Sequence, residues 1–212
     1  MKNLYLLSGL GADKRVFNFL DFGNHNIHHI VWIRPLENES LSEYAKRLCN
    51  EISCPYPILI GVSFGGIVAM EMGKFIKTEK IILISSARTR KDIPLRFKLT
   101  GKLKLHKTIP PSFKVRNNPV QSWLFGVKTT SEKELLTSIL LDTDPYFLRW
   151  AIDKLVCWKN EDLLENVKQI HGTKDKILPF KKAEFVIEGG EHLMIVSRAN
   201  EVSTMIKKAI YD

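Results

Sequence analysis

Apolar residues in the first 87 positions come in short continuous runs separated by stretches with helical spacing. Residues 4–7, 27–33, 56–60 and 80–85 are rich in Leu, Ile and Val and stop near Gly, Pro or Ser, a pattern that predicts strands. The run at 80–85 has no polar alternation inside it, as expected for a central strand covered on both faces. Between these runs, Val16, Phe17 and Leu20 predict a short helix from residue 14 to about residue 22, opened by Asp13 as N-cap. Ser40-Leu41-Ser42-Glu43 is a capping box for a helix carrying Leu41, Tyr44, Ala45, Leu48 and Ile52 on one face. Residues 67–75 predict a third helix. The alternation then stops. Residues 88–159 show no strand pattern but contain helical patterns at 132–141 and 145–158. Strands resume at 167–172 and 183–187, and an amphipathic helix at 201–211 ends the sequence. The order predicts an α/β architecture: a mostly parallel sheet of about six strands with helices on both faces. Residues 1–87 and 160–212 would form the core, and residues 88–159 a helical lid.

One stretch adds chemistry to this frame. Gly61-Val62-Ser63-Phe64-Gly65 fits G-x-S-x-G and lies between a predicted strand and a predicted helix, the setting of a nucleophile elbow. Glycine on both sides of the serine suits a turn too tight for a Cβ. A glycine-rich turn of this kind could instead serve close packing, or phosphate binding at a helix N-terminus.

A serine nucleophile needs a base, and the base needs an orienting acid, both expected at the C-terminal ends of later strands. Asp175 follows the strand ending in His171-Gly172, and His192 follows the strand leading to Gly189-Gly190. The order Ser63, Asp175, His192 is the one associated with the elbow. His171 precedes the acid and is expected to be structural. Asp142 and Asp144 are weaker candidates for the acid, since Asp144-Pro145 is a natural helix start. Ser85 and Ser86 lack an elbow's glycines and are expected to be polar lining. His25, His28 and His29 have no metal-ligand spacing.

With the elbow, His171-Gly172-Thr173-Lys174-Asp175 and Gly189-Gly190-Glu191-His192 in view, the sequence resembles the α/β-hydrolase family in its compact, lid-bearing form. The resemblance implies a serine hydrolase acting on a small carboxylic ester or thioester through an acyl-enzyme, with Ser63 as nucleophile, His192 as base and Asp175 as orienting acid. It places the oxyanion hole at the backbone N–H groups of Phe64 and Leu10, where Ser8-Gly9-Leu10-Gly11 stands for the His-Gly-x-Gly of many relatives. Gly9 and Arg88 are candidate substrate contacts. No metal or organic cofactor is implied. Two departures stand out: the usual first antiparallel strands are missing, and only 16 residues separate Asp175 from His192.

Composition narrows the setting. At 212 residues, 44% hydrophobic and 26% charged, the sequence suits one globular domain. The opening run is too short for a signal-peptide core, no stretch is long enough for a transmembrane segment, and three cysteines without redox or metal spacing fit a reducing compartment; a cytoplasmic location is expected. Charge is concentrated. Residues 88–131 hold eleven Lys and Arg against one acid, an excess of ten over a region whose parent chain carries only +9. A basic lid would attract an anionic substrate or an anionic lipid surface, or would simply be solvated. It also leaves open a second reading, a non-catalytic module binding an anionic ligand or partner. Nucleic-acid binding is not expected, because aromatics in this stretch are sparse. Oligomeric state is left open.

Overall fold

The computed structural model describes residues 1–104 and 118–212. Six strands form one parallel sheet: β1 (Asn3–Leu7), β2 (Asn26–His29), β3 (Ile58–Val62), β4 (Lys80–Ile84), β5 (Val167–Gly172) and β6 (Phe185–Ile187), in the order β2-β1-β3-β4-β5-β6. The chain reverses direction across the sheet between β1 and β3. Loops leaving those two strands therefore diverge, which opens a crevice at their C-terminal ends. The Gly9 loop follows β1 and Ser63 follows β3, so both candidate elements sit at this crevice.

Residues along the central strands alternate between two cores. Tyr5, Leu7, Leu59, Ile81 and Leu83 face helices α1 (Leu41–Leu48) and α2 (Phe64–Met72). Leu4, Leu6, Ile58, Ile60, Ile82 and Ile84 face α8 (Ala199–Tyr211) and the short α7 (Met194–Ser197). All five residues of β3 and of β4 are buried, which is why these strands read as unbroken apolar runs.

Local expectations shift where tertiary contacts take over. The helix expected at 14–22 is one 3-10 turn, Lys14–Phe17, capped by Asp13 as read from the sequence. Beyond it the Asp21 N–H donates to Ser203 Oγ on α8 at 3.0 Å, so the last helix captures this segment before it can continue winding. Strand β2 ends at His29, not residue 33. After the Ile30 N–H bonds Leu6 O, the chain leaves the sheet edge and Trp32 stacks on Phe147.

Among the described residues of 88–159 there is no strand. Helices α3 (Leu95–Lys102), α4 (Pro119–Phe125), α5 (Thr130–Asp142) and α6 (Pro145–Cys157) lie between β4 and β5 in the chain. Asn118, Thr129 and Asp144 cap α4, α5 and α6 through their side chains. Two tryptophans bolt α6 to the sheet domain: Trp150 Nε1–H donates to Glu39 O at 3.1 Å, and Trp158 Nε1–H donates to Glu71 Oε1 at 2.7 Å. Phe147 adds an edge contact to Phe64, the residue that opens α2.

Candidate active site

The turn after β3 is forced. Ser63 has φ 51° and ψ −118°, a region that costs a non-glycine residue on the order of 1–3 kcal/mol. Its surroundings hold it there. Ser63 N–H donates to Ile84 O at 2.9 Å, and Ser63 O accepts from Ser86 Oγ at 2.6 Å and from Gly66 N–H at 3.0 Å. A Cβ on Gly61 would come within 2.5 Å of Gly65 O, and one on Gly65 would overlap the carbonyls of Leu7 and Ser8. Both glycines of the motif are therefore demanded by the backbone of the turn and of β1.

Three side chains converge at the crevice. Ser63 Oγ lies 3.0 Å from His192 Nε2, and His192 Nδ1 lies 2.8 Å from Asp175 Oδ2. The carboxylate can only accept, so Nδ1 carries the proton and Nε2 presents a lone pair to the serine hydroxyl. Asp175 Oδ1 accepts the N–H groups of Ile177 and Leu178 at 2.8 and 2.9 Å. Its side chain is fully buried. Burial alone would raise its pKa, but the facing imidazoles of His192 and then His171 outweigh that and hold the carboxyl well below the usual range.

The short path from Asp175 to His192 works because β5 and β6 are neighbours whose ends are tied together. Thr173 N–H donates to Ile187 O at 3.1 Å, Lys174 N–H to Gly190 O at 2.8 Å, and Gly189 N–H to Thr173 Oγ1 at 2.8 Å. Gly172 leaves no room for a side chain against Gly190. A full intervening helix is not required.

No family model matches the sequence, and no curated protein matches it. Solved structures do match. A lipase-esterase related protein from Clostridium acetobutylicum superposes with a TM-score of 0.70 at 18% identity, covering 98% of this chain and 93% of that one. A thermophilic esterase from Thermogutta terrifontis gives 0.69 at 15% identity over 100% and 90%. A bromoperoxidase from Bacillus anthracis gives 0.68 at 14% identity over 100% and 92%. The chain has the α/β-hydrolase fold.

In this α/β-hydrolase fold the crevice opens into a cavity of about 320 Å³ that contains Ser63 and His192. Its floor is the Gly9–Ala12 loop with Val62. Its walls come from Phe97 on α3, Phe125 on α4, Leu136 and Ile139 on α5, and Val156 on α6. Gly9 lies against the serine: a Cβ there would be 3.5 Å from the Ser63 Cβ.

Several expected lining residues lie elsewhere. Arg88 is not in the cavity wall; its guanidinium pairs with Glu184, and its carbonyl accepts Asn160 Nδ2–H at 3.1 Å. Ser86 supports the elbow from behind, and Ser85 is fully buried beside it, so neither lines the cavity. Asp142 pairs with Arg15 and Asp144 caps α6, which occupies both weaker candidates for the acid. Of the eleven basic residues in 88–131, Lys107, Lys114 and Arg116 lie outside the described residues, and none of the other eight lines the cavity.

Other residues support the site, several through contacts distant in sequence. His171 is structural as expected. Its Nδ1 accepts from Gln169 Nε2 at 3.1 Å, so its Nε2–H donates to Leu178 O at 2.8 Å and stands 3.4 Å from Asp175 Oδ2. Glu191, next to His192, pairs with Lys176 at 2.6 Å and Lys128 at 3.1 Å. Burial raises its pKa, but those two lysines reverse the effect and lower it. Leu193 N–H donates to Phe125 O at 2.9 Å, and the Phe125 ring meets the His192 imidazole edge-on at 5.6 Å. The end of α4 is thus clamped to the histidine loop. Only the folded chain brings these partners together.

Of the three free cysteines, Cys49 has its thiol pushed up to about 11 by burial, which makes it a poor nucleophile. Among the described residues no helix is long and apolar enough to cross a membrane.

Proposed function

We propose that this chain is a serine hydrolase that cleaves a small carboxylic ester or thioester through an acyl-enzyme. The observation that carries the reading is the continuous hydrogen-bonded line from Ser63 Oγ through His192 to buried Asp175. As Ser63 Oγ bonds to the substrate carbonyl carbon, its proton passes to His192 Nε2. The imidazolium so formed is stabilised by the Asp175 carboxylate. Collapse of the tetrahedral species breaks the bond to the leaving oxygen or sulfur, which takes the proton from Nε2. Water then attacks the acyl carbon, gives a proton to Nε2, and that proton returns to Ser63 Oγ as the acid departs.

For the oxyanion we assign two backbone donors. Phe64 opens α2, so its N–H is among the four at that end with no acceptor inside the helix. Leu10 supplies the second from the loop that crosses Ser63. Residues 88–159 take the role of lid, since α3 to α6 supply the cavity's upper wall. Solved neighbours described as esterases and lipases accord with this chemistry.

The reading is tested with a fluorophosphonate probe, which reacts with serines activated in this way. One probe per chain should attach at Ser63, attachment should vanish in Ser63→Ala, and it should slow strongly in His192→Ala. A folded protein that fails to react would refute it and leave the non-catalytic binding module.

A further inference from the structure

Given the serine-hydrolase reading, we infer that the enzyme selects neutral acyl groups of medium length, with Leu136 on α5 helping to set the length limit. Among the described residues, only Ser63 and His192 contribute polar side chains to the cavity; every other described lining residue is Gly, Ala, Val, Leu, Ile or Phe. A carboxylate carried at the far end of the acyl chain would lose its water there and meet no cation of the described residues, an unfavourable exchange by several kcal/mol. The eight described basic residues of 88–131, none of which lines the cavity, therefore do not act on the acyl group. Three of the described cations are engaged outside the cavity: Arg88 with Glu184, Lys128 with Glu191, Arg96 with the carbonyls of Lys176 and Ile177.

Size sets the length. A chain carbon with its hydrogens takes up about the volume of a water molecule, roughly 30 Å³, so a cavity of about 320 Å³ accommodates on the order of ten of them. An acetyl group would leave most of this apolar surface facing water. The acyl side, not the alcohol side, is matched to the cavity because the acyl group stays bonded to Ser63 while the leaving group departs and water enters. Leu136, Ile139 and Leu140 on α5 and Val156 on α6 are each buried, so the wall is firmly packed and can act as a gauge.

The experiment measures kcat/KM for p-nitrophenyl esters from acetate to palmitate, on protein first titrated with the fluorophosphonate. Each added methylene should raise kcat/KM by a factor of about three to four until the cavity fills, giving an optimum at about six to ten carbons and a steep fall beyond it. Leu136→Trp should move the optimum at least about two carbons shorter, and Leu136→Ala should move it longer, so that one variant remains informative if the other folds poorly. A half-ester of adipic acid should react at least about a hundredfold more slowly than the hexanoate. Protein that takes up the probe yet prefers acetate, hydrolyses the half-ester equally well, or keeps its optimum in both Leu136 variants would overturn the inference while leaving the hydrolase reading intact. Length dependence found in a series of alcohols at constant acyl group, and absent from the acyl series, would overturn it as well. Protein that takes up no probe refutes the hydrolase reading itself.

Discussion

The floor of the cavity and its upper wall are built by different rules. On the floor, loops at the ends of β1, β3, β5 and β6 are tied to one another by backbone hydrogen bonds and by glycines that admit no side chain, and every reactive side chain has a fixed partner. The wall, from α3 to α6, presents apolar side chains that require volume and little else. It is fastened to the rest of the molecule largely through side chains, among them Trp150, Trp158, the Arg15–Asp142 pair and the clamp between Phe125 and the histidine loop. Chemistry needs angles and distances held to a fraction of an ångström, whereas acyl selection needs only a space of the right size and polarity. Substitutions on the floor should therefore change rate, and those on the wall should change preference.

The sharpest break is Ser63→Ala, for which kcat should fall by about 10⁶ with the circular dichroism spectrum unchanged. Asp175→Asn should follow with a loss of about 10⁴ in kcat and little change in KM, because the imidazole loses both its orientation and its counter-charge. This variant also has a pH signature. The Asp175 carboxyl is depressed in the folded state, so it stabilises the fold above its unfolded value of about 3.9, and that stabilisation drains away as pH falls toward the lower folded value. Urea titrations from neutrality downward should show wild-type stability dropping below about pH 4, with a shallower drop in Asp175→Asn.

Phe125→Ala sits on the seam between floor and wall. It should lower kcat/KM about tenfold by loosening His192 while leaving Ser63 reactive toward the probe, a combination readable in one plate. Glu191→Gln, which leaves Lys128 and Lys176 without their shared partner, should cost about 1 kcal/mol or less in a thermal melt. The smallest effect belongs to Arg88→Ala. Arg88 is bound to Glu184 away from the cavity, so the ratio of kcat/KM for anionic and neutral esters should not change across a salt series.

Much of the floor was legible in advance because its requirements are local. A five-residue turn needs glycine at both ends, an acid and a base must follow strand ends in a set order, and Ser40 and Glu43 announce a helix start wherever they fall. Boundaries failed where a distant segment competed. Nothing near residue 18 signals that Ser203 will intercept the chain, and nothing near Trp32 signals Phe147. The placement of Arg88 was not legible for the same reason: it depends on Glu184, 96 positions away. The supporting contacts of Ser86, Glu191 and Phe125 were not legible because each acts through a neighbour that only folding provides.

Sequence alone determined the parallel α/β architecture, the strained serine and the identity of its two partners, since strand periodicity, turn sterics and chain order are properties of short segments. Tertiary structure decided what surrounds them: which side chains face the cavity, how large it is, and that its lining is apolar although the segment above it is the most basic in the chain. A charged residue's position in sequence does not say which way it points, and in this fold Arg88, Arg96 and Lys128 bind carboxylates and carbonyls away from the cavity while leucines, isoleucines and phenylalanines of the same segment line it beside the serine.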